Sequence, residues 1–558
     1  MKVALKWFSR YFVAIFLVWI AASGLYFSWH DSMTTDEGVH TASAYNALTK
    51  HDALFDPEHP FLYKDLTALP LLFIHTNLPN DDAKLWAAAT PTFYDSWQEA
   101  RRWSDEWFYG SGNNADLMIF LARLPGVIVM ILLGWLMYRY NTAWFGERTG
   151  RWALFFTAFC PTLLANGHLT DTDVPVALTI LVCFWALWRY YEEQTLKQAA
   201  WLGLGLAVAL TTKYSAVALI PITVIWFGYS GIKKKVAFSK LLGHLLLMAL
   251  IIWLFIWTLY GWHSPLVPYG EPLSAPLGLI KDRLAAHHLT LKEIGTDVRW
   301  FLPSPYIKGM ILTFGSSIFG RGMFFLGKQY GSGVWYYFPI VLFLKTQVIA
   351  LLILFTGVAM YFRKVISVKH WQPLSWLLGG SALIVTFFSL TSKLDLGIRY
   401  ISPLFPLLCI ALAIFATYME ENFHWKYFVP VVAVLYVVPV LLQFNDLLAF
   451  SNIFTWPQKN TYEYFNDSNL DWGQQTRAAA QVVKDRYHNQ PVAANYQWTG
   501  RGLQYYGVDT ISLNAANPPK NTVILINATE LEWPEYSYFR TVTPDYQMGK
   551  ETFFYVLK

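Results

Sequence analysis

LMIFLARLPGVIVMILLGWLMY, residues 117–138, is a run of bilayer length that holds a single charged residue, Arg123. A helix needs about 20 mostly apolar residues to cross the hydrocarbon core. Comparable runs recur along the chain, at about 11–29, 152–166, 174–190, 199–212, 214–230, 241–262, 338–361, 372–391, 401–419 and 427–446. The 558 residues are 55% hydrophobic and only 14% charged, with a mean hydropathy of +0.32. Soluble domains carry about 25% charged residues. The sequence therefore predicts a mainly α-helical, polytopic membrane protein of about eleven spans.

The net charge of +5 is modest. Its basic residues sit beside apolar runs, which argues against a nucleic-acid partner. Cys160, Cys183 and Cys409 lie within apolar stretches, without metal-ligand spacing or a disulfide framework. The first run follows Lys2, Lys6 and Arg10 and continues to Trp29, so it reads as a retained anchor.

Alternate loops contain Arg139, Arg148 and Arg151; Arg189 and Lys197; Lys233, Lys234, Lys235 and Lys240; Arg363, Lys364 and Lys369; and Lys426. The positive-inside rule puts that side in the cytoplasm. Two long loops, about 30–116 and 263–337, then face outward, as does a polar tail from about 447. The tail reads as a small α/β domain: Gln474 to Tyr487 is helical in pattern, and Val523–Ile526 and Phe553–Val556 are strand-like. The expected division is 1–446 for the membrane domain and 447–558 for the external one.

Charge inside a bilayer is costly, so charged residues at helix ends deserve a reason. Asp36-Glu37, Arg123, Asp171-Thr-Asp173, Lys213, Lys393, Asp395 and Arg399 all fall on the outer face of this topology. Plainer readings exist for several. Asp173 before Val174-Pro175 suits a helix N-cap, Arg123 could snorkel to headgroups, and Lys213 could simply separate two helices. Asp36-Glu37 alone would pass as a solvated pair, and His287-His288 as surface residues.

Taken in order, these segments resemble the lipid-phosphate-dependent glycosyltransferases of the protein O-mannosyltransferase type, family 39, with the GT-C membrane fold. That family's Asp-Glu pair in the first external loop corresponds to Asp36-Glu37. Its His-Pro-Pro-Leu-x-Lys stretch corresponds to His59-Pro60-Phe61-Leu62-Tyr63-Lys64, with Phe61 in place of the second proline. Arg123 matches the Arg of the second span, and Asn166-Gly-His168-Leu-Thr-Asp171-Thr-Asp173-Val-Pro175 the His-x-x-x-Asp-x-Pro-like segment. Thr212-Lys213-Tyr214-Ser215 and Gly397-Ile-Arg399-Tyr400-Ile-Ser-Pro403 match two further breaks. The similarity covers about 1–446. The stretch Asn466-Asp-Ser-Asn469-Leu-Asp471-Trp472-Gly473 is similar to bacterial members with an external C-terminal domain, and no mechanistic role attaches to it.

The resemblance implies transfer of a sugar from a polyprenyl- or dolichyl-phosphate carrier to an acceptor hydroxyl, with protein Ser/Thr favoured over a lipid or glycan. Such a reaction needs a base for the hydroxyl proton and fixed cations for the departing phosphate. Asp36 is then the general base, and Glu37 orients it or the acceptor. Arg123, Lys213 and Arg399 hold the phosphate, while His59 and Lys64 shape the first-loop side. His168, Asp171 and Asp173 bind sugar hydroxyls; Lys393 and Tyr400 complete the substrate-binding set. No cofactor is required, although the Asp-x-Asp with Glu37 and His59 is able to hold a divalent metal. A secondary transporter is the competing class, with neither a visible inverted repeat nor midplane charges in its favour. A bacterial inner membrane with the site facing outside is the expected location; an endoplasmic reticulum membrane fits the same topology.

Overall fold

The structure is a computed structural model that describes residues 2–51, 55–56, 58–79, 100–263, 302–363, 372–423, 427–488, 490–495 and 501–558. His287-His288 and most of the second long loop lie outside the described residues.

The fold is mainly helical and membrane-spanning, with a small C-terminal sheet, as expected. The number of full-length spans differs. Among the described residues six helices are long and apolar enough to cross: Tyr11–His30, Ala115–Phe145, Asp173–Glu193, Tyr214–Lys234, Phe238–His263 and Leu404–Phe423. The expected span at 152–166 is two short helices, Glu147–Ala158 and Pro161–Gly167, because Pro161 starts a new helix. The span at 338–361 is bent by 118° between Tyr337–Leu344 and Val348–Phe362. Lys345 lies at that bend, buried, donating to the carbonyls of Leu448 and Asn469 at 2.7 and 2.6 Å. Leu196–Thr212 and Phe428–Leu442 are apolar but short, at 17 and 15 residues.

Tyr11–His30 packs along Ala115–Phe145, which in turn packs on Glu147–Ala158. Leu404–Phe423 lies against Glu147–Ala158, and Leu196–Thr212 is wedged between Asp173–Glu193 and Phe238–His263. One close approach sets the position of the site. A Cβ at Gly126 would come within 2.8 Å of the Gly167 carbonyl oxygen. Glycine there lets the turn that carries His168 to Asp173 press on the helix that carries Arg123.

The first long loop folds into Thr35–Lys50 and Phe61–Ala68, and the second supplies Ser304–Phe319. In the tail, five strands run in the order Thr510–Ile511, Val492–Ala494, Val523–Asn527, Thr552–Val556, Tyr546–Met548. The first three are parallel and the last two pair antiparallel. Alternation along Val523–Asn527 decides the docking. Val523 and Leu525 meet Ala479, Ala480 and Val483 of the Thr476–Arg486 helix, whereas Ile524 and Ile526 join the core that continues into the membrane helices. A strand buried on both faces reads as a continuous apolar run, which is what Val523–Ile526 shows.

Candidate functional site

Two buried arginines organise the end of the helix bundle where the expected site residues lie. Glu37 sits in the first turn of Thr35–Lys50, where its Oε2 accepts the Thr34 N–H at 2.9 Å. The Arg123 Nε and Nη2 donate to its two oxygens at 2.9 and 2.6 Å. The remaining Arg123 donors go to the carbonyls of Ser28, Asp31 and Ser32 at 3.2, 2.7 and 2.8 Å. Glu37 Oε1 also accepts the Thr170 N–H at 3.0 Å. Burial alone would raise the Glu37 pKa, but Arg123 outweighs it and holds the carboxyl below its usual value.

This corrects the expectation for both residues. All five N–H donors of a guanidinium are engaged at Arg123, so none remains for a phosphate. Glu37 is fully enclosed, out of reach of an acceptor. The pair ties the end of the first span, the helix after it and the turn before Asp171 into one unit.

Arg399 is the second centre. It lies in the one-turn helix Ile398–Ile401. Its Nη1 donates to Asp171 Oδ2 at 2.6 Å and lies 3.5 Å from Asp173 Oδ2. Nη2 donates to Asp36 Oδ2 at 3.0 Å, and Nε to Ser468 Oγ at 3.0 Å. Lys213 Nζ donates to Asp173 Oδ1 at 2.6 Å. The Tyr400 ring lies between the cations, 5.0 Å from the Arg399 guanidinium and 5.5 Å from the Lys213 ammonium. Asp36, Asp171, Asp173, Lys213, Arg399 and Tyr400 thus meet in one array. Asp36 is its open carboxylate: its side chain is 21% exposed, against 1% and 2% for Asp171 and Asp173.

Burial opposes ionisation of Asp171, yet Arg399 beside it holds the carboxyl well below the usual range. Lys213 makes one hydrogen bond of the three its ammonium can donate.

No mechanistic role was expected of the tail, yet it builds one wall. Besides Ser468, the Trp472 ring stacks 3.9 Å from the Arg399 guanidinium. Thr35 N–H donates to the Trp472 carbonyl at 3.0 Å and Ser32 N–H to that of Gln474 at 2.8 Å. Asn469 Oδ1 accepts the Ile398 N–H at 2.8 Å. The signal was present as Asn466 to Gly473, a polar run with one tryptophan soon after the last apolar helix. A second addition is Arg321, more than half exposed, which pairs with Asp467 at 3.3 Å and whose charge reaches Tyr400, Asp36 and Glu58.

Among the described residues the side chains of the remaining expected residues make no hydrogen bond to the array, although the charges of Lys213 and Asp171 act on His59. Lys64 is buried and donates to Asp56 Oδ2 and Ser43 Oγ, each at 3.2 Å. His59 packs edge-on to His40, with ring centroids 4.8 Å apart. Next to them Glu58 is pushed up to about 8, by burial first and then by the carboxylates of Asp56 and Asp36. His168 lies 3.4 Å from Asp31, beside Phe27. Lys393 is exposed; its backbone alone is fixed, to Ser317 and Gly333. Among the described residues no group of three His, Cys, Asp or Glu is placed to hold a metal ion. The set suggested for one is divided, since Glu37 is engaged by Arg123 and His59 lies beside His40.

Residues 115–260 match the family described as dolichyl-phosphate-mannose-protein mannosyltransferase. Among curated proteins, none matches the chain significantly. Among solved structures, ArnT from Cupriavidus metallidurans bound to undecaprenyl phosphate is similar at a TM-score of 0.47 and 12% identity, over 97% of each chain. Its apo state gives 0.43 and 14%, over 99% of this chain and 98% of that one. The archaeal oligosaccharyltransferase AglB from Archaeoglobus fulgidus, in complex with an inhibitory peptide and a dolichol-phosphate, gives 0.45 and 9%, over 90% of this chain and 64% of that one. The family match meets the resemblance read from the motifs, over the segment that carries Arg123, His168, Asp171, Asp173 and Lys213.

Removing one partner of a buried ion pair costs about 3–5 kcal/mol. Arg123→Ala leaves the Glu37 carboxylate buried alone, and it should lower the thermal unfolding midpoint of the purified protein sharply. Arg123→Ala together with Glu37→Gln should recover much of that loss. Equal midpoints for the wild type and Arg123→Ala would show that the pair does not hold the fold.

Proposed function

We propose that this chain transfers a sugar from a polyprenyl- or dolichyl-phosphate carrier to an acceptor hydroxyl, protein Ser/Thr foremost, on the extracytoplasmic side of a bacterial inner membrane. The observation that carries this reading is one open carboxylate, Asp36, fixed beside Arg399 with Lys213 and Tyr400. The mannosyltransferase match over 115–260 and the Lys/Arg asymmetry of the loops support the donor class and the side.

The acceptor oxygen attacks the anomeric carbon while its proton passes to Asp36. The bond from that carbon to the phosphate oxygen breaks, and the electron pair leaves with the phosphate. Arg399 donates to Asp36 and fixes its orientation, as a positioned base requires. The Lys213 donors still open and the rim cation Arg321 meet the charge that grows on the phosphate. Such stabilisation favours the transition state over the ground state. Arg123 and Glu37 contribute by position only.

Incubation of the purified protein with polyprenyl-phosphate sugars labelled in the sugar identifies the donor. Label appearing in peptide, lipid or glycan identifies the acceptor. Loss of label from no carrier would contradict the reading. Asp36→Asn should reduce turnover by about 10²–10⁴-fold with donor affinity largely kept, as for loss of a general base. Full turnover in folded Asp36→Asn protein would remove Asp36 as the base. Trp472→Ala should lower kcat/KM for the donor by about tenfold or more, since a desolvated cation–π contact is worth about 2 kcal/mol. Trp472→Phe should restore part of the loss. Unchanged kinetics in Trp472→Ala would reduce the tail to a structural neighbour.

A further inference from the structure

Where Phe428–Leu442 hands the chain to the C-terminal region, a cavity of about 680 Å³ opens between them. It shares no lining residue with the Arg399 array. Its floor is apolar: Trp19 of the first span, with Leu441 and Leu442 from the end of the later helix. Leu442 is 80% exposed. Its rim is polar and comes from Asn445, Asp446 and Lys459, with Gly549 and Lys550 closing the top.

The polar groups divide into engaged and open ones. The Lys550 ammonium already donates to Gln443 Oε1, the Ala449 carbonyl and Ser451 Oγ. Its charge also answers that of Asp446. Asn445 accepts the Tyr26 hydroxyl on its Oδ1 at 3.0 Å, and its amide N–H groups have no partner among the described residues. The Lys459 ammonium has none there either, and both side chains are exposed. Immediately beside the cavity the chain presents Ile453, Phe454 and Trp456, at 64%, 54% and 73% exposure. A soluble surface would not show such a cluster a few residues beyond a membrane helix; aromatic residues at that level are interfacial anchors.

The geometry points to a resident glycerophospholipid in this cavity. One acyl chain lies along Trp19, Leu441 and Leu442, and the phosphate receives hydrogen bonds from Lys459 and the Asn445 amide. Ile453, Phe454 and Trp456 sit in the same leaflet and moor the C-terminal region to it. The volume falls within the range of ligand sites, about 300–1,000 Å³. An apolar wall below a cation at the membrane boundary is the complement of a phospholipid and of little else. Leu441 and Leu442 of the floor are 49% and 80% exposed, so in a membrane they meet bulk phospholipid, which far outnumbers any sugar carrier, and the bulk lipid is the occupant.

Native mass spectrometry of the full chain reads occupancy without turnover, so the result stands whether or not the transfer reading does. After exchange from nanodiscs containing phosphatidylglycerol into detergent that strips loosely bound lipid, the wild type should retain one phosphatidylglycerol. Lys459→Gln should lower that occupancy about fivefold, the contribution of one lysine near an anionic headgroup. Leu442→Trp, at an exposed position where folding is not at stake, should block the floor and lower it as well. Retention unaffected by both substitutions, no retained lipid, or retention of added undecaprenyl phosphate in preference to phosphatidylglycerol would each overturn the assignment.

Discussion

A guanidinium buried at a membrane boundary has to be paired, since breaking a buried pair costs several kcal/mol. Arg399 meets that requirement from three directions at once. Asp36 comes from the first long loop, Asp171 and Asp173 from the start of the Asp173–Glu193 helix and the turn before it, and Ser468 and Trp472 from the tail. None of these segments is adjacent in sequence, and the array exists only when all are in place. Arg123 does the same work one layer behind, where it closes the first span onto the second through Glu37. One arginine is completely enclosed by its partners; the other keeps an open carboxylate beside it. That difference is why the proposed chemistry is placed at Arg399 and not at Arg123.

Much of this was legible in the sequence. Apolar runs gave the helical membrane fold, and charged residues at the outer helix ends pointed to the face where the array lies. Asp36, Asp171, Asp173, Lys213, Arg399 and Tyr400 could be grouped because each interrupts or borders an apolar run. What could not be read was which cation pairs with which anion. Arg123 and Arg399 carry the same signal, an arginine at the edge of a span. The backbone carbonyls of Ser28, Asp31 and Ser32 that saturate Arg123 leave no mark on the sequence. Span counting failed for a similar reason. Lys345 and Pro161 interrupt runs whose overall hydropathy still suits a crossing, and only tertiary contacts show the breaks.

The C-terminal region illustrates the limit of motif reading. Its sheet was visible as two apolar strands, but its contribution to the array rests on Ser468 and Trp472, ordinary residues in a polar connector. Their effect comes from docking, which the alternation of Val523–Asn527 directs by giving one face to the Thr476–Arg486 helix and the other to the membrane core. Sheet, connector and first outer loop therefore form one mechanical unit, stitched by the backbone hydrogen bonds of Ser32 and Thr35. A change in the tail reaches Asp36 through few intermediates.

The central claim is that the lipid phosphate comes to the Arg399 array. A cryo-electron microscopy structure of the full chain with a polyprenyl phosphate tests it most directly. The account predicts phosphate oxygens within hydrogen-bonding distance, about 2.7–3.2 Å, of Lys213 or Arg399, with Asp36 facing them across the acceptor position. A phosphate seated instead against Lys64 and Asp56, with the Arg399 array unchanged and empty, would contradict it.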